Sequence, residues 1–180
     1  MAPMPSFDPE SAWGADLGFS LLLNGASTLF HSDSVLSETV TALRAEGYQV
    51  VDLDASTWST QAAMHDALAS ALSFPDYYGR NLDALNDCLS NVAEGAYGLN
   101  PDLLGLVVVV RGFDAFVAVE EQAAHVLLDI VERQSRLAAL FGNRMLWLVQ
   151  SKDPDLRLPQ VGGRDVVWNA REFRNRGATA

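Results

Sequence analysis

Two short apolar runs on either side of a helical segment constrain the fold most strongly. Residues 105–110 read Gly-Leu-Val-Val-Val-Val, and residues 145–149 read Met-Leu-Trp-Leu-Val. A β-branched run without polar alternation is typical of a strand that is covered on both faces. A long helix is predicted between them, over residues 117–140, and strands separated by helices pair in parallel through right-handed crossovers. The sequence therefore predicts an α/β fold with a small parallel sheet packed against helices.

The remaining elements follow from periodicity and turn signals. Apolar residues recur at helical spacing in three further segments, which are 32–46, 60–72 and 82–92. Strands are predicted at 48–53 and, as an edge strand near the C-terminus, at 166–168. Asn24-Gly25 suits a type I′ turn, so 19–30 is predicted to form an N-terminal hairpin. Residues 1–15, with three prolines, are expected to be a flexible leader.

Composition places the chain among globular proteins. At 180 residues and 49% apolar content it is most simply one domain with a sizeable core. The apolar runs are too short to cross a bilayer, and the first residues lack the pattern of a signal peptide. A single cysteine, Cys88, excludes an internal disulfide framework and suits a reducing compartment. We therefore expect a cytoplasmic protein.

The net charge of −11 is distributed unevenly. Residues 45–110 contain nine acids and one cation, Arg80, whereas residues 144–180 contain seven cations and four acids. An acidic half of this kind argues against direct contact with nucleic acid and favours a basic partner.

Residues 74–89 carry the pattern most relevant to function. Asn81 is suited to cap a helix. The apolar stripe of that helix is Leu82, Leu85, Leu89 and Val92. Asp83 and Asp87 lie four residues apart and project together from the opposite face, where their repulsion costs a few tenths of a kcal/mol. A surface that keeps this pair beside Tyr77 is suited to a positively charged partner.

The same segment resembles the barstar family. Pro-Asp-Tyr-Tyr-Gly-x-Asn-Leu-Asp-Ala-Leu-x-Asp-Cys-Leu, at residues 75–89, matches the signature of these intracellular ribonuclease inhibitors. The resemblance extends more loosely over about 48–150. It implies a barstar-like fold for a single domain at 16–180, with extensions at 16–47 and 151–180.

The resemblance also implies a function and a set of contact residues. Asp83 and Asp87 match the aspartates that enter a ribonuclease active site and pair with its phosphate-binding cations. The chain is then expected to be an inhibitor, or immunity protein, of a basic microbial ribonuclease, without catalytic residues, cofactor or metal. The residues expected to contact the partner are Tyr77, Asn81, Leu82, Asp83, Asn86, Asp87, Asn91 and Glu132.

The chain departs from the family pattern at two aromatic positions. Asn86 and Val92 stand where the family has tryptophans, and aromatic side chains carry much of an interface's energy. These differences motivate an alternative function, a barstar-fold protein that binds a different toxin or cytosolic partner. Glu132 is the nearest match to a glutamate of the family's later helix, although a shift of one residue would place Arg133 there.

Simpler explanations remain open for several of these residues. Asp83 is favoured in a first helical turn by the helix dipole, by about 0.3–1 kcal/mol. Capping and core packing explain Asn81 and Leu82. Cys88 is expected to be a core residue, and His65 is expected on a helix surface.

An enzyme is the third alternative. The paired carboxylates would then act as acid and base or hold a divalent metal. No histidine and no third possible ligand lies near them in the sequence, so they would make a poor catalytic site and a poor metal site.

Overall fold

The parallel sheet is the centre of the computed structural model, which describes residues 16–176. Its strands are β1 Ser27–Phe30, β2 Gln49–Asp54, β3 Leu106–Arg111, β4 Met145–Gln150 and β5 Val167–Trp168. They pair in parallel throughout, in the order β2–β3–β4–β1–β5. The predicted α/β fold with a parallel sheet is confirmed, and so is the C-terminal edge strand. The predicted leader, 1–15, lies outside the described residues.

Helices cover both faces of this sheet. They are α1 Leu17–Leu22, α2 Asp33–Glu46, α3 Gln61–Ala71, α4 Leu82–Ala93, α5 Phe113–Val119, α6 Glu121–Leu140 and α7 Ala170–Arg176. No helix within the described part of the chain is long and apolar enough to cross a membrane.

The side chains of β3 alternate between the two helical layers that cover the sheet. Val107 and Val109 face the core formed with α1 and α2, whereas Val108 and Val110 face the core formed with α3, α4, α5 and α6. All four side chains are fully buried. Burial on both faces explains why this strand lacks polar alternation.

The predicted N-terminal hairpin is wrong. Its first half is the helix α1, and its second half, β1, pairs in parallel with β4 and β5. Asn24 and Gly25 donate their backbone N–H groups to Leu21 and Leu22 at the end of α1. The Asn-Gly pair therefore ends a helix here, and β1 buries all its side chains by pairing between β4 and β5.

The predicted long helix also differs from the structure. It begins earlier, at Phe113, and is divided into α5 and α6 at Glu120, whose backbone leaves the helical region (φ −140°, ψ 54°). The Glu120 carboxylate accepts a hydrogen bond from Gln61 N (3.2 Å) at the start of α3. This contact with a segment distant in sequence stabilises the break between α5 and α6. The periodicity of the sequence did not indicate that break.

A half-buried ion pair joins the N-terminal extension to the core. Arg144, immediately before β4, donates hydrogen bonds to the Asp16 carboxylate and to the Tyr48 hydroxyl. Asp16 also caps α1 by accepting from Phe19 N (3.1 Å). The position of α1 therefore depends on Arg144.

Candidate partner-binding site

Helix α4 is held by a cap and by an apolar stripe, as its sequence predicts. The Asn81 side chain accepts a hydrogen bond from Ala84 N at 2.8 Å. The side chains that α4 buries are Leu85, Cys88, Leu89, Val92 and Ala93. They pack mainly against α6, and the expected core position of Cys88 is confirmed.

Removal of the Asn81 cap should destabilise the protein modestly. Asn81→Ala leaves the Ala84 N–H group without its side-chain acceptor, and we expect the free energy of unfolding to fall by about 1 kcal/mol. Denaturation in urea measures this loss. Asn81→Asp keeps an acceptor oxygen and serves as the matched control, so equal losses in the two variants would contradict a capping role.

The opposite face of α4 carries two exposed carboxylates. Asp83 and Asp87 are both exposed, and the ion pairs found among the described residues involve other acidic side chains. Arg80, the nearest cation in sequence, pairs instead with Asp66 (2.7 Å). In the C-terminal tail, Arg171 pairs with Glu38 of α2. The two negative charges of α4 are therefore left available to a partner.

The loop before α4 presents one tyrosine and buries the next. Tyr77 is 81% exposed, whereas Tyr78 packs edge-to-face against Phe74 with ring centroids 5.0 Å apart. The loop is bounded by Ser73 and Arg80, which both adopt left-handed backbone conformations (φ 57° and 48°). Such conformations cost about 1 kcal/mol or more for a side chain other than glycine and persist only where the surroundings fix them.

His65 contacts this loop through Tyr78. The prediction that His65 lies on the surface is wrong, because the residue is 1% exposed and its Nδ1 lies 2.5 Å from the Tyr78 hydroxyl. The sequence could not show this, since Tyr78 covers His65 from a different segment.

The burial of His65 predicts a loss of stability in mild acid. Burial lowers the pKa of His65, and the nearby Asp66 carboxylate offsets only part of that shift. The unfolded chain therefore takes up a proton near pH 6.5, before the folded chain does. Stability is complete above this pH and falls as the pH drops toward the lowered pKa, by at most about 1.4 kcal/mol per pH unit.

Urea denaturation between pH 7.5 and 5.5, a range of about 1 unit on either side of the ordinary histidine pKa, measures this dependence. His65→Gln should flatten it. His125→Gln, which replaces a half-buried histidine on α6, is the matched substitution control. A steep dependence in the His65 variant would contradict this assignment.

Asn86 and Asn91 are engaged within the protein. Asn86 is half-buried and accepts a hydrogen bond from the Gln134 amide of α6 at 2.8 Å. Asn91 is also half-buried, and its amide lies 3.4 Å from the Tyr97 hydroxyl. No sequence pattern singles out Gln134, because it is a buried amide that becomes relevant only where α6 meets α4.

Glu132 does not lie on the surface where the resemblance would place it. It is 4% exposed, and its carboxylate accepts a hydrogen bond from Ser27 N at 2.9 Å. Arg133, the alternative match, is exposed and pairs with Asp129 (3.5 Å). Glu132 is thus removed from the candidate surface because β1, which belongs to the N-terminal extension, lies beside α6.

The acids of α4 do not form a metal site with their neighbours. Across residues 16–176, no group of three or more histidine, cysteine, aspartate or glutamate side chains is arranged to hold a metal ion.

These features define an α/β protein with a parallel sheet that presents a capped, acidic helix beside an exposed tyrosine. A family described as Barstar (barnase inhibitor) matches residues 48–149, which is more than half of the chain. The chain belongs to the barstar family.

Other similarities link parts of the chain to known proteins. A Bacillus subtilis (strain 168) protein named "Putative ribonuclease inhibitor YrdF" is 39% identical over 62 residues, which are 34% of this chain and 58% of that protein. The structure of Drosophila ORC bound to DNA contains a chain that is 13% identical, with a TM-score of 0.50 over 84% of this chain and 40% of that chain. The second similarity concerns the fold alone.

Proposed function

We propose that this protein inhibits a basic ribonuclease by inserting the acidic face of α4 into the active site of the enzyme. Family membership and the ribonuclease inhibitor named among its relatives support this class of function. The observation that carries the mechanism is the exposure of Asp83 and Asp87 on a capped helix, while the nearby Arg80 and the tail residue Arg171 pair with other acids.

The chemistry of the target explains the two carboxylates. A ribonuclease must hold RNA phosphates, so its cleft carries lysine and arginine side chains. Two carboxylates on one helix face satisfy those cations without presenting a bond that the enzyme can cleave. Because the backbone of the helix is already ordered, binding costs little backbone conformational freedom, which raises affinity.

The neighbouring residues complete the proposed surface. Tyr77 is largely exposed, and tyrosine is enriched among the residues that dominate binding energy. We include Asn81, Leu82, Asn86 and Asn91 because they lie on α4 or at its cap. No cofactor is needed for this function, and the cytoplasm is the compartment in which such an inhibitor would protect its own cell.

Inhibition assays on purified basic microbial ribonucleases test the proposal directly. We expect the protein to abolish RNA cleavage by at least one of these enzymes at a stoichiometric ratio. We also expect the association rate to fall with added salt, because complementary charges accelerate encounter. Full activity of every enzyme in the panel at excess inhibitor would contradict the proposal.

A second function is favoured by the chemistry at Asn86. Where the family has a tryptophan, this chain has an amide that is bonded to Gln134, and an aliphatic Val92 is buried at the second position. The same acidic helix would then bind a different basic toxin. Capture of partners from a lysate on the immobilised protein, followed by mass spectrometry, separates the two functions. A basic partner that is not a nuclease, and that the Asp87→Ala variant no longer captures, supports only the second function.

A further inference from the structure

A cavity of about 210 Å³ opens between the N-terminal extension and the C-terminal half of α6. Its lining residues are Phe19, Leu22, Leu23, Gly25, Ala26, Glu132, Ser135, Arg136, Ala139, Asn143 and Arg164. None of them belongs to α4 or to the loop before it, so the cavity is separate from the proposed inhibitory surface. Its volume is several times that of a water molecule, about 30 Å³, and admits a small organic molecule.

Buried polar groups line the inner part of this cavity. Glu132 is 4% exposed, and its one hydrogen bond within the described structure comes from Ser27 N. Ser135 is 7% exposed, and its hydroxyl has no hydrogen-bond partner among the described residues. The Ser135 hydroxyl oxygen is shielded from solvent, so the buried polar group left for a ligand is the Glu132 carboxylate. A buried carboxylate with a single hydrogen bond is unfavourable and points to a ligand that brings hydrogen-bond donors and a positive charge.

The backbone at Gly25 keeps the carboxylate accessible. Gly25 has a φ of +122°, and a Cβ atom built there would lie 3.3 Å from Glu132 Oε1. A side chain at this position would therefore crowd the carboxylate as well as strain the turn.

The rest of the lining contributes apolar side chains and positive charge. The walls include apolar side chains of Phe19, Leu22 and Leu23. Arg136 and Arg164 are exposed residues that add positive charge to the lining, where they suit a carboxylate. The cavity thus combines a carboxylate that can bind a cation, an apolar wall, and two arginines that can bind an anion.

We propose that this cavity binds an apolar α-amino acid as its zwitterion. The ammonium group, with three donors, bonds to the Glu132 carboxylate. The side chain of the ligand packs on the apolar wall, and its carboxylate faces Arg136 and Arg164. Free amino acids are the simplest molecules that present these three features together.

Isothermal titration calorimetry on the purified chain tests this assignment with three probes. L-Leucine has both charges, isopentylamine lacks the carboxylate, and 4-methylpentanoate lacks the ammonium group. We expect L-leucine to bind at least about tenfold more tightly than either analogue, because each loses a charge-assisted contact. Absence of L-leucine binding at millimolar concentrations, or equal binding of either analogue, would overturn the proposal.

Three variants locate the binding. Glu132→Gln keeps an acceptor for Ser27 N and should weaken L-leucine binding about tenfold or more. Ala139→Phe, at an exposed position of the lining, should block the cavity and abolish binding even if Glu132→Gln folds poorly. Glu121→Gln, about 16 Å away along α6, is the matched control and should bind normally. Unchanged binding by folded Glu132→Gln or Ala139→Phe would overturn the assignment, whatever the outcome of the ribonuclease assays.

Discussion

Asp87→Ala should weaken binding to the target ribonuclease by about 2–5 kcal/mol, a loss of roughly thirtyfold to several thousandfold in affinity. The carboxylate lies in the middle of α4, where the helix dipole gives it no structural role, and it is exposed. In the complex its loss would leave cations of the enzyme buried and unpaired, which is the larger part of the cost. The measurement is the inhibition constant together with its salt dependence, which should become shallower.

The same change should leave the free protein intact. Exposed substitutions away from caps and cores usually change the free energy of unfolding by less than about 0.5 kcal/mol. Removal of one member of the Asp83–Asp87 pair also relieves a repulsion of a few tenths of a kcal/mol.

Asp102→Ala provides a charge-matched control. Asp102 is an exposed acid in the turn before β3, outside α4. It should lower the net negative charge equally but keep most of the affinity, since a remote charge affects mainly the association rate. Equal losses in the two variants would show that binding follows net charge and would remove Asp87 from the contact surface.

The features that the sequence predicted correctly depend on local patterns. The valine run of β3, the stripe of α4 and the Asn81 cap are each encoded within a few neighbouring residues. Periodicity and capping chemistry act over that range. The acidic face of α4 follows from the same periodicity, because residues opposite a buried stripe point to solvent.

The features that the sequence did not predict depend on contacts between distant segments. His65 became a buried residue because Tyr78 covers it, and Glu132 became buried because β1 lies against α6. The Asn24-Gly25 turn is compatible with a hairpin or with a helix end, and the pairing of β1 with β4 decided between them. A local pattern cannot select among such tertiary alternatives.

The inward position of Glu132 has a consequence for the proposed complex. If the extension stays in place, the partner meets α4 and the Tyr77 loop without this carboxylate, so Asp83 and Asp87 supply more of the charge complementarity. Asn86, bonded to Gln134, presents an amide where an aromatic anchor would otherwise increase the apolar contact. The loss of the carboxylate places the charge complementarity on Asp83 and Asp87, and the loss of the aromatic anchor reduces the apolar contact, so the affinity should be sensitive to salt.

Arg144→Met should lower the free energy of unfolding by about 2–3 kcal/mol, because it removes the hydrogen bonds of a charged group from a pair whose Asp16 side chain is 30% exposed. Arg144 is 6% exposed and bonds to both Asp16 and Tyr48. Burial raises the pKa of Tyr48 to about 12, so this hydroxyl stays neutral, and the charge that Arg144 offsets is that of its ion-pair partner Asp16. Tyr48→Phe, which removes only a hydroxyl, is the matched control and should cost about 1 kcal/mol.

Acid should distinguish the ion pair from simple packing at this position. Burial raises the pKa of Asp16, but hydrogen bonds from Arg144 and from Phe19 N lower it further, so the net shift is downward. The stability that Asp16 contributes is therefore present above about pH 3.8, the ordinary pKa, and is lost as the pH falls through the lowered value. The stability difference between the native chain and Arg144→Met should shrink over that range in urea denaturation, and a difference that stays constant with pH would mean that Arg144 acts through packing rather than through its charge.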